Sequence, residues 1–377
     1  MVICHISDLH IGKNINGYSL LEDQEDMLFS KVLKALQEKK PQVLLISGDI
    51  YDTYNPSKEA ITLYGSFLDA VLKQGIQVIA ISGNHDSPVR LSQHKDILIR
   101  GGYYVFGDYQ GKLDPVILED EYGPVFFYPL SFVTPEEVSA LYPDLPAPRN
   151  YDEAIGRILD SLALDASKRN VLLLHQAVEG AERDPSDSKP LLGKNGESDY
   201  VSASRLSAFD YIALGHIHKH YSLLSGKAVY PGALLPYHIH ESNDRYMECI
   251  TLEEKGKCDV ESICFVPKRR VEVFRGTTDE ILARPDDKEN YVYVELTDSK
   301  TYPTLFQRLG EKFPFFLGVL RVNDESMKQV EGTYDPSSSV ETTITGFYKE
   351  KTGKDMPKEE KDYVLSLLEK LGRKERE

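Results

Sequence analysis

Five short apolar runs in this sequence each end in residues that can bind a cation or move a proton. Val2–Ser7 is followed by Asp8 and His10, and Val43–Ser47 by Gly48-Asp49-Ile50-Tyr51-Asp52. Ile76–Ile81 leads into Gly83-Asn84-His85-Asp86, Val171–Leu174 ends at His175, and Tyr211–Leu214 ends in Gly215-His216-Ile217-His218. Taken singly, each ending is ordinary: Gly, Asn and Asp are common turn residues, and one His at a strand end usually packs or hydrogen-bonds. Taken together they supply carboxylate, amide and imidazole donors and no cysteine, a set suited to Mn²⁺, Fe²⁺ or Zn²⁺. Seven donors (Asp8, His10, Asp49, Asn84, His175, His216 and His218) exceed the needs of one tetrahedral ion. They suit two divalent ions that share a carboxylate about 3.5–4 Å apart, an arrangement that catalyses in-line displacement at phosphorus.

The elements that must position these donors follow from periodicity. The five runs are short, rich in β-branched residues and bounded by Gly, Ser or Asp, which predicts buried strands. Leu20–Lys40 carries Met27, Leu28, Val32, Leu33 and Leu36 as a helical stripe, and Ala60–Leu72 and Asp152–Leu162 are further helices. Such alternation implies right-handed βαβ units and a sheet covered on both faces, with ligands at the carboxyl ends of its strands. Tyr103–Phe106, Val116–Leu118 and Val125–Tyr128 read as short strands, and Tyr246–Leu252 and Val260–Val266 as closing antiparallel ones. Glu179–Ser198, rich in Gly, Pro, Asp and Ser, reads as a long surface loop. Pro267-Lys268-Arg269-Arg270 marks a domain boundary, and its three cations read equally as phosphate contacts or as solvated linker charge. Beyond it come a helix at Thr278–Ala283, a strand at Tyr291–Leu296, a helix at Pro303–Leu309 and a strand at Phe315–Val322. A linker at Tyr334–Ser339 precedes an amphipathic helix, Glu359–Leu371.

Composition sets limits on what this machinery can act upon. The chain has 377 residues, 41% hydrophobic and 28% charged, enough for two or three domains. Its 44 Lys and Arg against 60 Asp and Glu give a net charge of −16. Phosphate backbones are repelled on average by such a chain, so nucleic acid would need local basic patches, bound cations or a partner. Cys4, Cys249, Cys258 and Cys264 contain no Cys-x-x-Cys pair and read as reduced thiols. The N-terminus lacks a signal peptide pattern, and no apolar stretch reaches a membrane-spanning length of about 20 residues. The expectation is a cytoplasmic protein with no membrane contact.

Asp-x-His, Gly-Asp-x-x-Asp, Gly-Asn-His-Asp, a lone His and Gly-His-x-His, in that order, resemble the motif series of the calcineurin-like metallophosphoesterases. The match spans Asp8/His10, Gly48–Asp52, Gly83–Asp86, His175 and Gly215–His218 without a gap. Flanking residues sharpen it. Asp52-Thr53, Asp86-Ser87-Pro88, Leu214 to Lys219 and Tyr230-Pro231-Gly232-Ala233-Leu234-Leu235-Pro236-Tyr237 resemble the nuclease subunits of bacterial double-strand-break complexes. The resemblance implies an α/β fold: a metallophosphoesterase β-sandwich flanked by helices (1–266), a small α+β capping domain (267–335), and a linker with a C-terminal helix (336–377). By the same resemblance, Asp8, His10 and His218 hold one metal, Asn84, His175 and His216 the other, and Asp49 bridges them. His85 would stabilise the transition state and assist the leaving oxygen, with Asp52 behind it as orienting carboxylate; some relatives carry His in place of Asp52.

The activity so implied is Mn²⁺-dependent hydrolysis of DNA phosphodiesters at break ends, hairpins or single strands. The expected partners are a coiled-coil ATPase, docked through the C-terminal helix, and a second copy of the chain. A metallophosphatase or phosphodiesterase acting on non-DNA phosphoesters would use the same centre. A non-catalytic scaffold would be expected to have lost a ligand, and none is lost here. Two departures stand out: His220 replaces a frequent Pro, and His238-Ile239-His240 replaces a more usual Ser/Phe stretch, read here as a polar or DNA-facing loop. His5 and His94 read as ordinary structural residues.

Overall fold

A computed structural model describes residues 1–183, 187, 200–298, 304–321, 356, 357 and 361. Its strands begin with β1 (Val2–Ile6), β2 (Asn14–Ile15), β3 (Tyr18–Ser19), β4 (Val43–Ser47), β5 (Gln77–Ile81) and β6 (Tyr103–Phe106). They continue with β7 (Val116–Asp120), β8 (Gly123–Leu130), β9 (Arg169–His175), β10 (Tyr211–Gly215), β11 (Tyr221–Leu223) and β12 (Ala228–Tyr230). The last are β13 (Arg245–Leu252), β14 (Cys258–Phe265), β15 (Val271–Gly276), β16 (Tyr291–Leu296) and β17 (Phe316–Arg321). One six-stranded sheet has the order β14-β13-β1-β4-β5-β6, and a second the order β11-β12-β10-β9-β8-β7.

The two sheets pack face to face. Ile3, Leu45, Ile79 and Ile81 from the first meet Phe127, Leu173, Tyr211 and Ala213 from the second in one buried layer. The alternate residues of the same strands point away: Leu44 and Ile46 into a helix-covered core with Leu36 and Phe67, Leu172 and Leu174 into another with Ile155 and Ile158. This is the sandwich implied by the motif resemblance. The sheet that periodicity expects to be covered on both faces is so covered, by helices on one face and by the other sheet on the second. A strand buried on both sides is continuously apolar whether its second neighbour is a helix or another sheet, so periodicity does not tell the two apart.

The predicted helix at Leu20–Lys40 is present, but its middle turn, Met27–Val32, is a π-helix between α-helical Leu21–Asp26 and Leu33–Lys39. The β2–β3 hairpin is an addition to the predicted elements, although Asn16-Gly17 at its turn, both at positive φ, is a strong hairpin dipeptide. The parallel sheet β15-β16-β17, with helices Thr278–Ala283 and Leu305–Lys312, closes its own core around Ile281, Val292, Val294, Leu309 and Phe313. The chain divides into Met1–Val322 and Asn323–Glu377, and all these strands belong to the first unit. Lys268 pairs with Glu22 at 2.7 Å, and Arg269 pairs with Glu22 at 3.2 Å and Asp23 at 3.0 Å. These two cations are therefore paired with acidic residues of the chain. The predicted linker 334–339 and most of helix 359–371 lie outside the described residues.

Candidate metal centre

The turns that carry the donors are fixed by backbone hydrogen bonds that extend the β1–β4 ladder past the strand ends. Asp8 N–H donates to the Gly48 carbonyl (3.1 Å), His10 N–H to that of Asp49 (2.9 Å) and Ile11 N–H to that of Ile50 (2.9 Å). Asp8, His10, Asp49 and His216 all have positive φ, at 52°, 41°, 48° and 97°. A left-handed conformation costs a non-glycine residue on the order of 1–2 kcal/mol, so four in one place require the surroundings to hold them. Part of that hold comes from Asp86. Its buried carboxylate accepts from the N–H groups of Ile50 (3.1 Å), Tyr51 (2.9 Å) and Gly83 (2.9 Å), tying the turn after β4 to the turn after β5.

A glycine before Asn84 suggests a residue chosen for its conformational freedom. The φ of Gly83 is not among the positive ones, however; what it supplies is space. A Cβ there would run into the Asp49 carboxylate and backbone nitrogen. Gly83→Ala is therefore expected to displace Asp49 and to destabilise the fold by roughly 1–3 kcal/mol, the usual cost of overpacking a close contact. Thermal unfolding checks it: an unchanged midpoint would mean that the turn has slack.

At the centre lies Asp49. Its Oδ1 accepts from the His85 N–H at 2.9 Å, while Oδ2 sits 3.5 Å from His10 Nε2 and 3.4 Å from His175 Nε2. On one side His10 Nε2 and His218 Nε2 approach to 3.0 Å, and a carboxylate oxygen of Asp8 lies within 4.8 Å of a donor atom of each. On the other side Asn84 Oδ1 is shared by His175 Nε2 (3.1 Å) and His216 Nδ1 (3.0 Å). Asp8, Asp49 and His175 form a second such cluster. The structure thus brings all seven predicted donors to one end of the sandwich, where both sheets finish.

The environment sorts their charges. Burial pushes the His216 imidazole down to about 3 and His218 well below its ordinary value, and it lowers His10 as well. Each shift favours the neutral ring, the form that ligates metal. Burial also raises the Asp8 carboxyl to about 8, reinforced by the neighbouring Asp49 charge. For Asp49 burial acts in the same direction, but the His175, His10 and His85 rings outweigh it and hold the carboxyl well below its usual range. His175 is the counterpart: burial opposes its charge, yet Asp49 and Asp8 raise it to about 9. Its Nδ1–H donates to the Ser47 carbonyl at 2.7 Å, which turns Nε2 toward the oxygens of Asp49 and Asn84. A ring anchored in this way by a main-chain carbonyl is the usual support of a metal-ligating His. The donor set, its neutral rings and its shared buried carboxylate fit a pair of divalent cations.

Asp52 differs from its expected place. Its carboxylate pairs with Lys13 Nζ at 2.7 Å and lies 3.4 Å from His10 Nδ1, and it is the Asp52 carbonyl oxygen that meets His85 Nδ1, at 2.9 Å. The ammonium of Lys13 is the stronger attractor for a carboxylate than an imidazole N–H. Sequence reasoning also passes over four residues that complete the site. Lys13 is one. Tyr237 donates its OH to the Leu9 carbonyl at 2.7 Å and sets its ring edgewise against His10 and His218. Phe132 stacks on His216 with centroids 6.2 Å apart, and Asp187 accepts from the His218 N–H at 2.7 Å. None sits on an apolar run; only Tyr237 lies within a family-like motif. His238 and His240 place their rings 5.4 Å apart and join no cluster of metal donors among the described residues. His5 is buried against the Tyr211 hydroxyl at 3.0 Å.

Among known proteins, the SbcD subunit of the nuclease SbcCD from Staphylococcus epidermidis is 28% identical over 375 residues, covering 98% of each chain. Its counterpart in Staphylococcus saprophyticus is 29% identical over 388 residues, again covering 98% of each. A solved structure, TT1561 of Thermus thermophilus, aligns with 69% of this chain and 98% of its own at 11% identity and a TM-score of 0.37. The family model for calcineurin-like phosphoesterases matches residues 1–220, which take in every donor described above. With more than half its length so matched, the chain belongs to the calcineurin-like phosphoesterase family.

Proposed function

We propose that the chain is a two-metal nuclease that hydrolyses DNA phosphodiesters at double-strand ends, hairpins or single strands together with an SbcC-like coiled-coil ATPase. The observation that carries this reading is the ionised Asp49 carboxylate lying between His10 and His175 with Asp8, Asn84, His216 and His218 around it. In our assignment Asp8, His10 and His218 hold one ion, Asn84, His175 and His216 the other, and Asp49 both. Mn²⁺ suits this mixture of oxygen and imidazole donors. Bound there, the pair would supply acidification of a water and neutralisation of charge on the phosphate. His85, held by the Asp52 carbonyl through Nδ1, leaves Nε2 to face the leaving oxygen and donate a proton to it.

The nuclease reading rests on similarity along nearly whole chains to proteins named as the SbcD subunit of the nuclease SbcCD. With it come the further assignments: residues 1–266 as nuclease, 267–335 as cap, 336–377 as the segment that docks on the ATPase, a homodimer, and a cytoplasmic site of action. The net charge of −16 leaves DNA affinity to the bound cations and the partner. With Mn²⁺ and the partner, linear duplex DNA is expected to be cut. Intact duplex alongside rapid hydrolysis of a phosphomonoester would replace the nuclease by a phosphatase.

The protonation pattern yields a second test. Around pH 7 Asp8, at about 8, and His175, at about 9, each hold a proton at a donor atom that an ion must occupy. Loading at that pH should release protons, from these groups and from any water the ions acidify, because ligands bind deprotonated. Apparent affinity should climb with pH and level off once both groups have titrated. Calorimetry of Mn²⁺ binding in buffers of different ionisation enthalpy measures this directly; proton-neutral loading would refute the assignment.

A further inference from the structure

Cys4 on β1 and Cys249 on β13 are direct partners across the antiparallel ladder. The type of pair follows from the strand ends. The Met1 amino group donates to the Leu252 carbonyl at 2.6 Å, and the Leu252 N–H donates to the Met1 carbonyl at 2.8 Å, so these two exchange both ladder bonds. Alternation along the register makes Val2/Thr251 non-hydrogen-bonded, Ile3/Ile250 hydrogen-bonded and Cys4/Cys249 non-hydrogen-bonded. That is the closer kind of pair, with Cα atoms about 4.5 Å apart, inside the range of roughly 4.4–6.8 Å that a disulfide spans. Both side chains point into the same helix-covered core, Cys4 fully buried and Cys249 6% exposed, and both are free thiols.

The neighbourhood favours reaction at Cys249. Its thiol is brought down to about 7, first by the adjacent Cys4 thiol and then, against burial, by the Lys39 ammonium. Lys39 is fixed there by Glu261, the residue opposite Cys249 on β14, at 2.7 Å. Cys4 is pushed up by the neighbouring Cys249 thiol and by burial. No other pair of described cysteines is opposed: Cys258 faces Leu252 and Cys264 faces Tyr246.

We infer that Cys4 and Cys249 are a redox modification site, closed by a hydroperoxide into a reversible cross-strand disulfide. The Cys249 thiolate attacks a peroxide oxygen, the O–O bond breaks, and the departing hydroxide takes a proton to become water. The resulting sulfenic acid is attacked by the Cys4 sulfur as it loses its proton. The S–O bond breaks and a second water leaves. Two thiols are oxidised by two electrons in total, and one hydrogen peroxide is reduced to two waters. Thiol-reducing conditions would reopen the bond, so it would form transiently in a reducing compartment.

The test treats the full chain with hydrogen peroxide, alkylates remaining thiols and maps peptides without reduction. A linked peptide containing Cys4 and Cys249 is expected, disappearing on dithiothreitol treatment. The C258S/C264S double variant should give the same peptide, and Cys249→Ser should abolish it. The inference is overturned if both thiols stay alkylatable, if Cys249 stops at sulfenic or sulfinic acid, or if the links run through Cys264. Because the wild-type chain carries the main readout, a variant that fails to fold does not weaken the test.

Discussion

Asp49→Asn is expected to empty the centre and to silence it. The substitution keeps the shape of a side chain that is 2% exposed but removes its charge. Asp49 is also the group whose charge, 3.4 Å away, keeps His175 protonated in the metal-free chain. With an amide there, the His175 ring moves back toward its neutral form and the two halves of the donor cluster lose the anion they share. Loss of an outer-shell partner alone typically costs about 10–100-fold in metal affinity, and a bridging ligand should cost more. Removal of one preorganised stabiliser of transition-state charge costs on the order of 10²–10³ in kcat. The combined expectation is a fall in phosphodiester hydrolysis at or beyond the upper end of that range, with Mn²⁺ content reduced at both positions. Elemental analysis of the dialysed protein, run beside the hydrolysis assay, reads both effects. A variant that retains both ions and near-native turnover would remove Asp49 from the centre of the scheme.

The parts of this molecule that can be read from sequence are those governed by burial. Val43–Ser47 is a strand by periodicity and in the fold because all five of its residues are buried. Tyr291–Leu296 and Thr278–Ala283 likewise keep their expected bounds. Legibility declines where the deciding contact is distant in sequence. Nothing near Asp52 says that its carboxylate will be captured by Lys13, 39 residues earlier. Nothing near Gly83 says that an Asp49 oxygen will occupy the space where a Cβ would stand. Phe132 and Tyr237 reach His216 and His218 from connecting segments that have no periodicity to betray them. The donors are legible for a different reason. Parallel strands put their carboxyl ends side by side, so residues scattered from Asp8 to His218 are gathered by topology alone, without any local signal that they meet.

His85→Ala is the substitution that separates chemistry from metal binding. The His85 backbone N–H is bound to Asp49 Oδ1 and its ring to the Asp52 carbonyl, each at 2.9 Å, and the ring lies edgewise on His10 with centroids 4.8 Å apart. Truncation at Cβ leaves the main-chain bond to Asp49 and all seven proposed ligands in place. Turnover should then fall by roughly 10²–10⁴, the range for losing a positioned proton donor, while bound Mn²⁺ stays at its wild-type level. The loss should depend on the leaving group. A phosphodiester that expels p-nitrophenolate needs little proton assistance, so its hydrolysis should be much less impaired than that of DNA. Asp52→Asn provides the contrast. Because Asp52 meets His85 through its carbonyl oxygen, the amide variant keeps that contact and loses instead the ion pair with Lys13. It should therefore show a smaller defect than His85→Ala, without the same dependence on the leaving group. If His85→Ala loses metal along with activity, His85 is a ligand, and the division of labour between it and Asn84 must be redrawn.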